Sequence, residues 1–239
     1  MAQVPVPDGP TADHVLDNPV WSALTGRHRD LAQGDARVRR YLPDVSVFGA
    51  VSDWGDPRVW DDILDLVGRG ADLAFMGPTL TLPTGWSTPW AAEGVQLVQT
   101  DALVGQHDVD TVRLVEADVP EMLDLVARTR PGPFGPRTHE LGTYLGIRHD
   151  GRLVAMAGER LKPDGWTEIS AVCTDPAYRG HGLARRLVLA VVAGIQERGE
   201  RALLHAAATN TNAIRLYEHL GFTLRWRPQF VALRTPGRP

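Results

Sequence analysis

The segment from Glu168 to Ala184 constrains the fold of this 239-residue chain more than any other stretch, because a strand, a tight turn and a glycine-rich helix start follow one another there. The first turn of a helix carries unpaired N–H groups and a partial positive charge, so it favours an anion. Gly180 and Gly182 remove side chains at that point, which lets a diphosphate approach the backbone, and Arg179 adds a permanent positive charge. The segment therefore predicts an anion-binding turn at a helix start.

Two common nucleotide-binding motifs do not match this turn. A dinucleotide fingerprint needs Gly or Ala at the position where Arg185 stands. A P-loop needs the pattern GxxxxGK[ST], which does not occur in the chain. The two glycines alone are equally consistent with a helix that merely begins with glycines, so the wider pattern has to decide.

Hydrophobic periodicity around the turn predicts alternating strands and helices. Strands are predicted over residues 45–51, 71–76, 111–116, 144–148, 153–161, 167–174 and 202–208, and a final strand or hairpin over residues 222–233. Helices are predicted over residues 57–67, 118–128, 180–198 and 210–220. Asp118 with Glu121 three residues later predicts a capping box. The stretch 77–94 is rich in Pro, Thr, Gly and Trp and is predicted to be irregular. From residue 111 the order β-α-β-β-β-α-β-α-β indicates an α/β fold with a mixed central sheet flanked by helices.

A second motif, Asn210-Thr-Asn-Ala-Ile-Arg-Leu-Tyr-Glu-His-Leu-Gly-Phe222, follows the glycine turn. Together with Arg-Gly-His-Gly-Leu-Ala at 179–184 it resembles the GNAT superfamily of N-acetyltransferases, in which the first motif holds the coenzyme A diphosphate. Pro176 stands where some members carry Gln or Arg. The resemblance covers about half the chain and implies the GNAT-like acyl-CoA N-acyltransferase fold for that half.

The wording Val-Cys-Thr-x-Pro-x-Tyr-Arg-Gly is similar to the branch of the family that carries a second, degenerate N-terminal half. The resemblance thus implies an N-terminal α/β region over residues 1–108, read as a degenerate GNAT-like half, and a GNAT N-acetyltransferase domain over residues 109–239. The N-terminal half shows no cofactor motif of its own. Three roles stay open for the N-terminal half: it shapes the acceptor site, covers a sheet edge or mediates a homodimer.

The resemblance implies acetyl-CoA as acyl donor and a set of residues that contact it. The strand before the turn would pair with the pantetheine arm, the turn would bind the diphosphate, and the second motif would contact the arm again. The expected cofactor-binding residues are Val172, Cys173, Thr174, Arg179, Gly180, His181, Gly182, Leu183, Ala184, Arg185, Asn210 and Ala213. Asn210 is also a helix cap by its position.

Proton transfer needs a base for the amine and an acid for the leaving thiolate. Glu168 is the first candidate base, since the family often draws its base from this strand, and Glu159 on the preceding strand is the rival. Strand alternation places Glu168 on the same face as Val172, and it places Cys173 on the opposite face. Tyr217 stands where the family has its general-acid tyrosine.

Composition excludes several other classes. The net charge of −4 and the pI of about 6.0 argue against a nucleic-acid-binding protein. Cys173 is the only cysteine, so no intrachain disulfide forms, and a buried apolar role is expected for it. The scattered histidines predict no metal site. The N-terminus lacks a secretory pattern and no stretch is long and apolar enough to cross a membrane, so a cytoplasmic protein is expected.

The sequence thus predicts an N-acetyltransferase that moves the acetyl group of acetyl-CoA directly to a primary amine of a small molecule or peptide. A non-catalytic acyl-CoA-binding protein of the same fold and an enzyme that uses a longer acyl-CoA are the alternatives. Five tryptophans are candidates either for an acceptor pocket or for the core: Trp54, Trp60, Trp86, Trp90 and Trp166.

Overall fold

A nine-stranded sheet runs through the part of the chain that the computed structural model describes, residues 14–237. In chain order the elements are α1 (Pro19–Thr25), β1 (Ala32–Gly34), β2 (Val38–Tyr41), β3 (Gly49–Val51), α2 (Val59–Val67), β4 (Asp72–Gly77), β5 (Ser87–Gln99), β6 (Thr111–Leu114), α3 (Val119–Thr129), β7 (Tyr144–His149), β8 (Arg152–Glu159), β9 (Trp166–Thr174), α4 (Leu183–Glu197), β10 (Arg201–Ala207), α5 (Thr211–Leu220), β11 (Phe222–Trp226) and β12 (Gln229–Arg234). The predicted α/β class with a mixed sheet is confirmed.

The strand order of the large sheet is β4-β12-β5-β10-β9-β8-β7-β6, and β11 pairs with β5 next to β12. Among the neighbouring strands of this described sheet, only β9 and β10 run parallel. A parallel pair requires a crossover connection, and α4 supplies it. The strands β1, β2 and β3 form a separate antiparallel sheet.

Helices cover both faces of the large sheet. On one face α4 and α5 bury an apolar layer against the middle strands, with Leu187, Val191 and Tyr217 among its members. On the other face α3 buries Met122 and Leu125 against β7 and β8. The middle strands are therefore covered on both sides, which explains why β8 is almost entirely buried.

Three local predictions differ from the structure. Helix α4 begins at Leu183 rather than at residue 180, because Gly180 and Gly182 have positive φ angles of 83° and 73° that no helix accommodates. Residues 87–94, predicted to be irregular, belong to the 13-residue strand β5, whose first residues are mostly exposed and lack apolar alternation. The prediction of a capping box is also wrong, because Asp118 and Glu121 bind Arg148 instead of capping α3.

Strands from both sides of the predicted domain boundary at residue 108 share the large sheet. The C-terminal strand β12 lies between β4 and β5, and β10 pairs with the other edge of β5. The division into 1–108 and 109–239 therefore stays a prediction about ancestry and does not separate two sheets. Between residues 14 and 237, no helix is both long enough and apolar enough to cross a bilayer.

Candidate active site

The parallel strands β9 and β10 pair over only part of their length. Their register begins at Trp166 with Arg201 and ends at Ile169 with Leu204. Beyond that point β9 remains paired with β8, and β10 remains paired with β5, but the two strands no longer pair with each other. The sheet therefore opens between residues 170–174 and 205–207. Backbone groups that a continued ladder would satisfy are left for a ligand there.

A β-bulge helps to open the sheet. Ala171 has a φ angle of 52°, and the β8–β9 register shifts between the pairs Met156–Cys173 and Gly158–Ser170. An extra residue in one strand bends it and changes which face its later side chains occupy. Ala171 is thus the point at which β9 leaves its regular course.

The bulge corrects the predicted strand alternation. Ile169 and Val172 both pack in the α4 layer, whereas Cys173 packs with α3 on the opposite face. Glu168 therefore lies on the opposite face from Val172, not on the same face as predicted. The Cys173 thiol is buried as expected, and burial raises its pKa to about 11.

The glycine-rich turn presents a row of free backbone donors. Between residues 14 and 237, no acceptor lies within hydrogen-bond distance of the backbone N–H groups of residues 180–185. A Cβ placed on Gly180 or Gly182 would meet no atom within 4 Å, so the space in front of these amides is open. Arg179 is exposed beside them. The turn can therefore bind an anion through N–H groups and a cation together.

A cavity of about 940 Å³ occupies the opening between β9 and β10. This volume falls within the range of small-molecule sites. The predicted residues that line it are Val172, Cys173, Thr174, Arg179, Ala184, Asn210, Ala213 and Tyr217. The remaining predicted cofactor residues, Gly180, His181, Gly182, Leu183 and Arg185, lie along the adjoining turn and the first residues of α4. The structure thus brings the two motifs together.

Helix α5 positions Tyr217 and Asn210 at this cavity. Asn210 caps α5, because its Oδ1 accepts a hydrogen bond from the N–H of Ala213 at 3.3 Å. Tyr217 lies on the buried face of α5 and packs edge-on against Phe222. Burial raises the pKa of Tyr217 to about 12, so its phenol stays protonated at neutral pH. A protonated hydroxyl that lines the cavity can donate to a ligand there.

Glu168 lies behind the cavity wall in a buried ion pair. Its side chain is fully buried, and each of its carboxylate oxygens accepts two hydrogen bonds. Arg160 donates to Oε2 at 2.8 Å and to Oε1 at 2.6 Å, the Leu161 N–H donates to Oε2 at 3.2 Å, and His205 lies 2.7 Å from Oε1. Although burial opposes ionisation, Arg160 and His205 hold the pKa of Glu168 well below its usual range. This geometry gives no support to the prediction that Glu168 takes the amine proton directly.

Glu159, the rival base, also lies away from the cavity. Its carboxylate binds Lys162 at 2.9 Å and Arg198 at 2.7 Å, and it accepts a hydrogen bond from the Thr143 N–H. Its pKa is lowered by Lys162 and Arg198 against the opposing effect of burial. Glu159 therefore joins β8 to the end of α4 and has no line of approach to a ligand in the opening.

Sequence reasoning missed several residues that line the cavity. Arg160, directly after β8, and His205 on β10 face it, and Phe48, Trp90 and Phe230 line it from the N-terminal half and from β12. No local pattern marks these residues, because they meet only through the sheet topology. Of the five candidate tryptophans, Trp90 alone lines this described cavity, while Trp54, Trp60 and Trp86 pack at tilted and edge-to-face angles in a cluster elsewhere.

Comparison with a family model places residues 144–231 in the family described as FR47-like protein. The matched range contains both sequence motifs and the open ends of β9 and β10. It does not contain Phe48 or Trp90.

Solved structures extend the likeness over nearly the whole chain. A crystal structure of a GNAT-family protein from Novosphingobium aromaticivorans is 38% identical in sequence, with a TM-score of 0.86, and the match covers 93% of this chain and 99% of that one. A GCN5-related N-acetyltransferase from Kribbella flavida shares the fold at 21% identity and a TM-score of 0.60, covering 91% of this chain and 94% of that one.

Curated relatives match over shorter ranges. The mycothiol acetyltransferase of Thermomonospora curvata is 38% identical over 113 residues, which is 45% of this chain and 36% of that protein. The mycothiol acetyltransferase of Thermobifida fusca is 29% identical over 184 residues, covering 70% of this chain and 54% of that protein. The chain thus spans about a third to a half of the length of these relatives.

Proposed function

The chain belongs to the GNAT family of acetyltransferases, and from that premise we propose that it transfers the acetyl group of acetyl-CoA directly to a primary amine. The observation that carries the proposal is the opening between β9 and β10 at a bulge, directly beside a turn of free amides. A coenzyme with a polar arm and a diphosphate needs both features side by side.

The residues present fit acetyl-CoA. The unpaired backbone of residues 170–174 offers hydrogen bonds to the amides of the pantetheine arm, and the N–H groups of residues 180–185 with Arg179 suit the diphosphate. Arg185 is exposed beside this turn and available to phosphates, whereas Arg186 is held by Asp108 and Asp110. When bound, acetyl-CoA supplies an activated thioester that a neutral amine can attack.

Tyr217 is the proposed acid for the leaving thiolate. It lines the cavity from α5, and its raised pKa keeps the proton available at neutral pH. Glu168 is proposed as a positioning residue rather than as a direct base, because it fixes Arg160 and His205 at the cavity wall while its own oxygens are fully engaged.

Calorimetric titration with acetyl-CoA tests the cofactor site. Gly182→Trp fills the space in front of the free amides and should abolish micromolar binding. Gly199→Trp is the matched control, since Gly199 has the same φ angle of 73° at the other end of α4 and an equally open surrounding. Binding that survives Gly182→Trp, or that is lost equally in both variants, would show that the turn is only structural.

Acceptor identity and acyl chain length belong to the same proposal. Amines related to mycothiol are a first class to assay, on the strength of the relatives' names. A longer acyl donor and a non-catalytic acyl-CoA-binding role are the alternatives, and thiol release with acetyl-CoA and an amine separates all three. The degenerate N-terminal half, a homodimer and a cytoplasmic location stay predictions.

A further inference from the structure

Part of the cavity wall consists of apolar side chains from outside the two motifs, and we call this part the chamber. Val47, Phe48, Trp90 and Phe230 line it. Trp90 is 55% exposed and Val47 is 44% exposed, and both are among the few large apolar side chains that the described surface leaves uncovered. Exposed apolar groups at the mouth of a cavity indicate a site for an apolar ligand.

The polar groups of the chamber wall are held between two of these aromatic rings. The Arg160 guanidinium lies over the Phe48 ring at 5.1 Å, and the rings of His205 and Phe230 meet edge to face at 6.2 Å. Glu168 joins Arg160 to His205 from behind. These contacts hold Arg160 and His205 in fixed positions in the wall, and Glu168 already neutralises the charge of Arg160.

His205 offers no free basic nitrogen. Gln96 donates from Nε2 to the carbonyl of Leu16 at 2.9 Å and accepts at Oε1 from Arg225, which fixes the orientation of its amide. Gln96 Nε2 lies 3.1 Å from His205 Nε2, so that ring nitrogen must accept. His205 Nδ1 then carries the proton and donates it to Glu168. Both ring nitrogens are therefore engaged.

The charged side chains that line the described cavity are all basic. Within residues 14–237, no Asp or Glu lines it, whereas Arg130 and Arg179 do, together with Arg160, whose charge Glu168 pairs from behind. Such a lining does not stabilise an ammonium group, and no side chain described there is free to take a proton from one. An acceptor must therefore arrive with its amine already neutral.

We propose that the acceptor is an amine of low pKa, largely uncharged at neutral pH, carried on an apolar body that packs against Phe48, Trp90 and Phe230. The inference rests on the proposed function and names its substrate class. An α-amine next to a carbonyl, with a pKa of about 8, is about two hundred times more neutral at pH 7.5 than an alkylamine with a pKa of about 10.4.

Most of the chamber wall lies outside the range that matches the family model. Val47, Phe48 and Trp90 precede residues 144–231, and Phe230 lies within them. The family match therefore covers the cofactor motifs but not most of the residues that the acceptor would contact.

Four amines test the proposal through thiol release with acetyl-CoA at pH 7.5. Phenylalanine amide and glycine amide share an α-amine and differ in the apolar body, 2-phenylethylamine keeps the ring with a higher pKa, and spermidine is a polycation. Phenylalanine amide should have a kcat/KM at least tenfold above each of the others, with spermidine the lowest. From pH 7 to 9, kcat/KM for 2-phenylethylamine should rise about tenfold per unit, because only its neutral fraction binds.

Trp90→Ala should lower kcat/KM for phenylalanine amide about tenfold, mainly through KM, and leave glycine amide unchanged. Trp90→Phe should restore most of the loss. Val109→Ala, which alters a fully exposed apolar side chain outside the cavity lining, should change nothing. Acetyl-CoA affinity should be the same in all three variants.

Preference for spermidine, equal use of the two amides, or an equal effect of Trp90→Ala on both amides would overturn the acceptor class. So would the absence of turnover with all four amines in protein that binds acetyl-CoA. Absence of acetyl-CoA binding would instead overturn the proposed function itself, so the two failures are distinguishable.

Discussion

The two ends of the β9–β10 pair are built in opposite ways. At the end that contains Glu168 the strands are hydrogen-bonded, and the buried carboxylate has every acceptor position filled. At the other end, beyond Ile169 and Leu204, the same strands separate and leave backbone groups and a helix start without partners. A few residues thus separate the region where the carboxylate is fully hydrogen-bonded from the region where a ligand would supply the missing hydrogen-bond partners.

The difference teaches where each kind of residue acts. The end that contains Glu168 stabilises the arrangement of the two strands, because breaking a buried, fully paired ion pair costs much free energy of folding. The open end has polar groups for which the proposed coenzyme would supply the partners. Substitutions at the first end should therefore change stability most, and substitutions at the second end should change binding and turnover most.

The largest effect is expected for Glu168→Gln. It leaves the buried Arg160 without its counter-charge and should lower the free energy of unfolding by about 3–5 kcal/mol in urea titrations. Glu159→Gln is the matched control and should cost less, because its partner Arg198 is 35% exposed and can be solvated. Equal losses in the two variants would remove the distinction between the carboxylates.

The same variant also tests how the contribution of Glu168 to stability depends on pH. The pKa of Glu168 in the folded protein lies below its ordinary value of 4.5, so its stabilising contribution is present above that pH. The contribution is lost as pH falls through the lower folded value. The stability difference between the wild-type protein and Glu168→Gln should accordingly begin to narrow near pH 4.5 and continue to narrow as the pH falls further.

Tyr217→Phe should reduce kcat about 100-fold or more while leaving acetyl-CoA affinity unchanged, since only the hydroxyl group that donates the proton is removed. Stopped-assay thiol release and calorimetry measure the two quantities. Leu216→Ala, one position earlier on α5 and also at the cavity, should instead affect binding more than kcat. Unchanged turnover in Tyr217→Phe would remove Tyr217 as the acid.

Ala171→Val tests the bulge that separates the two ends. A β-branched residue at a φ of 52° should cost about 1–2 kcal/mol of stability, whereas Ala171→Gly should be neutral or slightly stabilising. Thermal unfolding of both variants measures the difference. If valine is accepted without loss, the left-handed backbone at this position is not what opens the sheet.

The smallest effect is expected at Cys173. Its buried thiol, with a pKa of about 11, should resist iodoacetamide at pH 8 in the native protein and react once the chain is unfolded in urea. Mass spectrometry of the two samples measures the uptake. Rapid native alkylation would mean that the α3 face opens readily beside the site.

Much of the fold could be predicted because its signals are local. The two motifs, the periodicity of α4 and the strands predicted over residues 144–148 and 153–161 each lie within one short stretch, and the structure places them close to the predicted ranges. Strand β5 was missed because its exposed first half has no alternation. The bulge at Ala171 was missed because no residue type marks it, and it inverted the predicted face of Cys173.

The site was only partly predictable for a different reason. The cofactor side comes from two contiguous motifs, whereas Arg160, His205 and Phe48 come from three separate parts of the chain. The spacing of these residues along the sequence does not show that they lie close together in the folded protein. Glu168 was recognised as special, but only its partners in space reveal that it holds other residues in place.

The insertion of β12 between β4 and β5 has a consequence for how the chain is made. Its two neighbours end at Gly77 and Gln99, so they emerge from the ribosome long before Gln229–Arg234 is synthesised. Until then the inner edges of β4 and β5 have no partner, and the wall that carries Phe230 does not exist. Vectorial synthesis therefore delays completion of the chamber wall until almost the last described residues have left the tunnel.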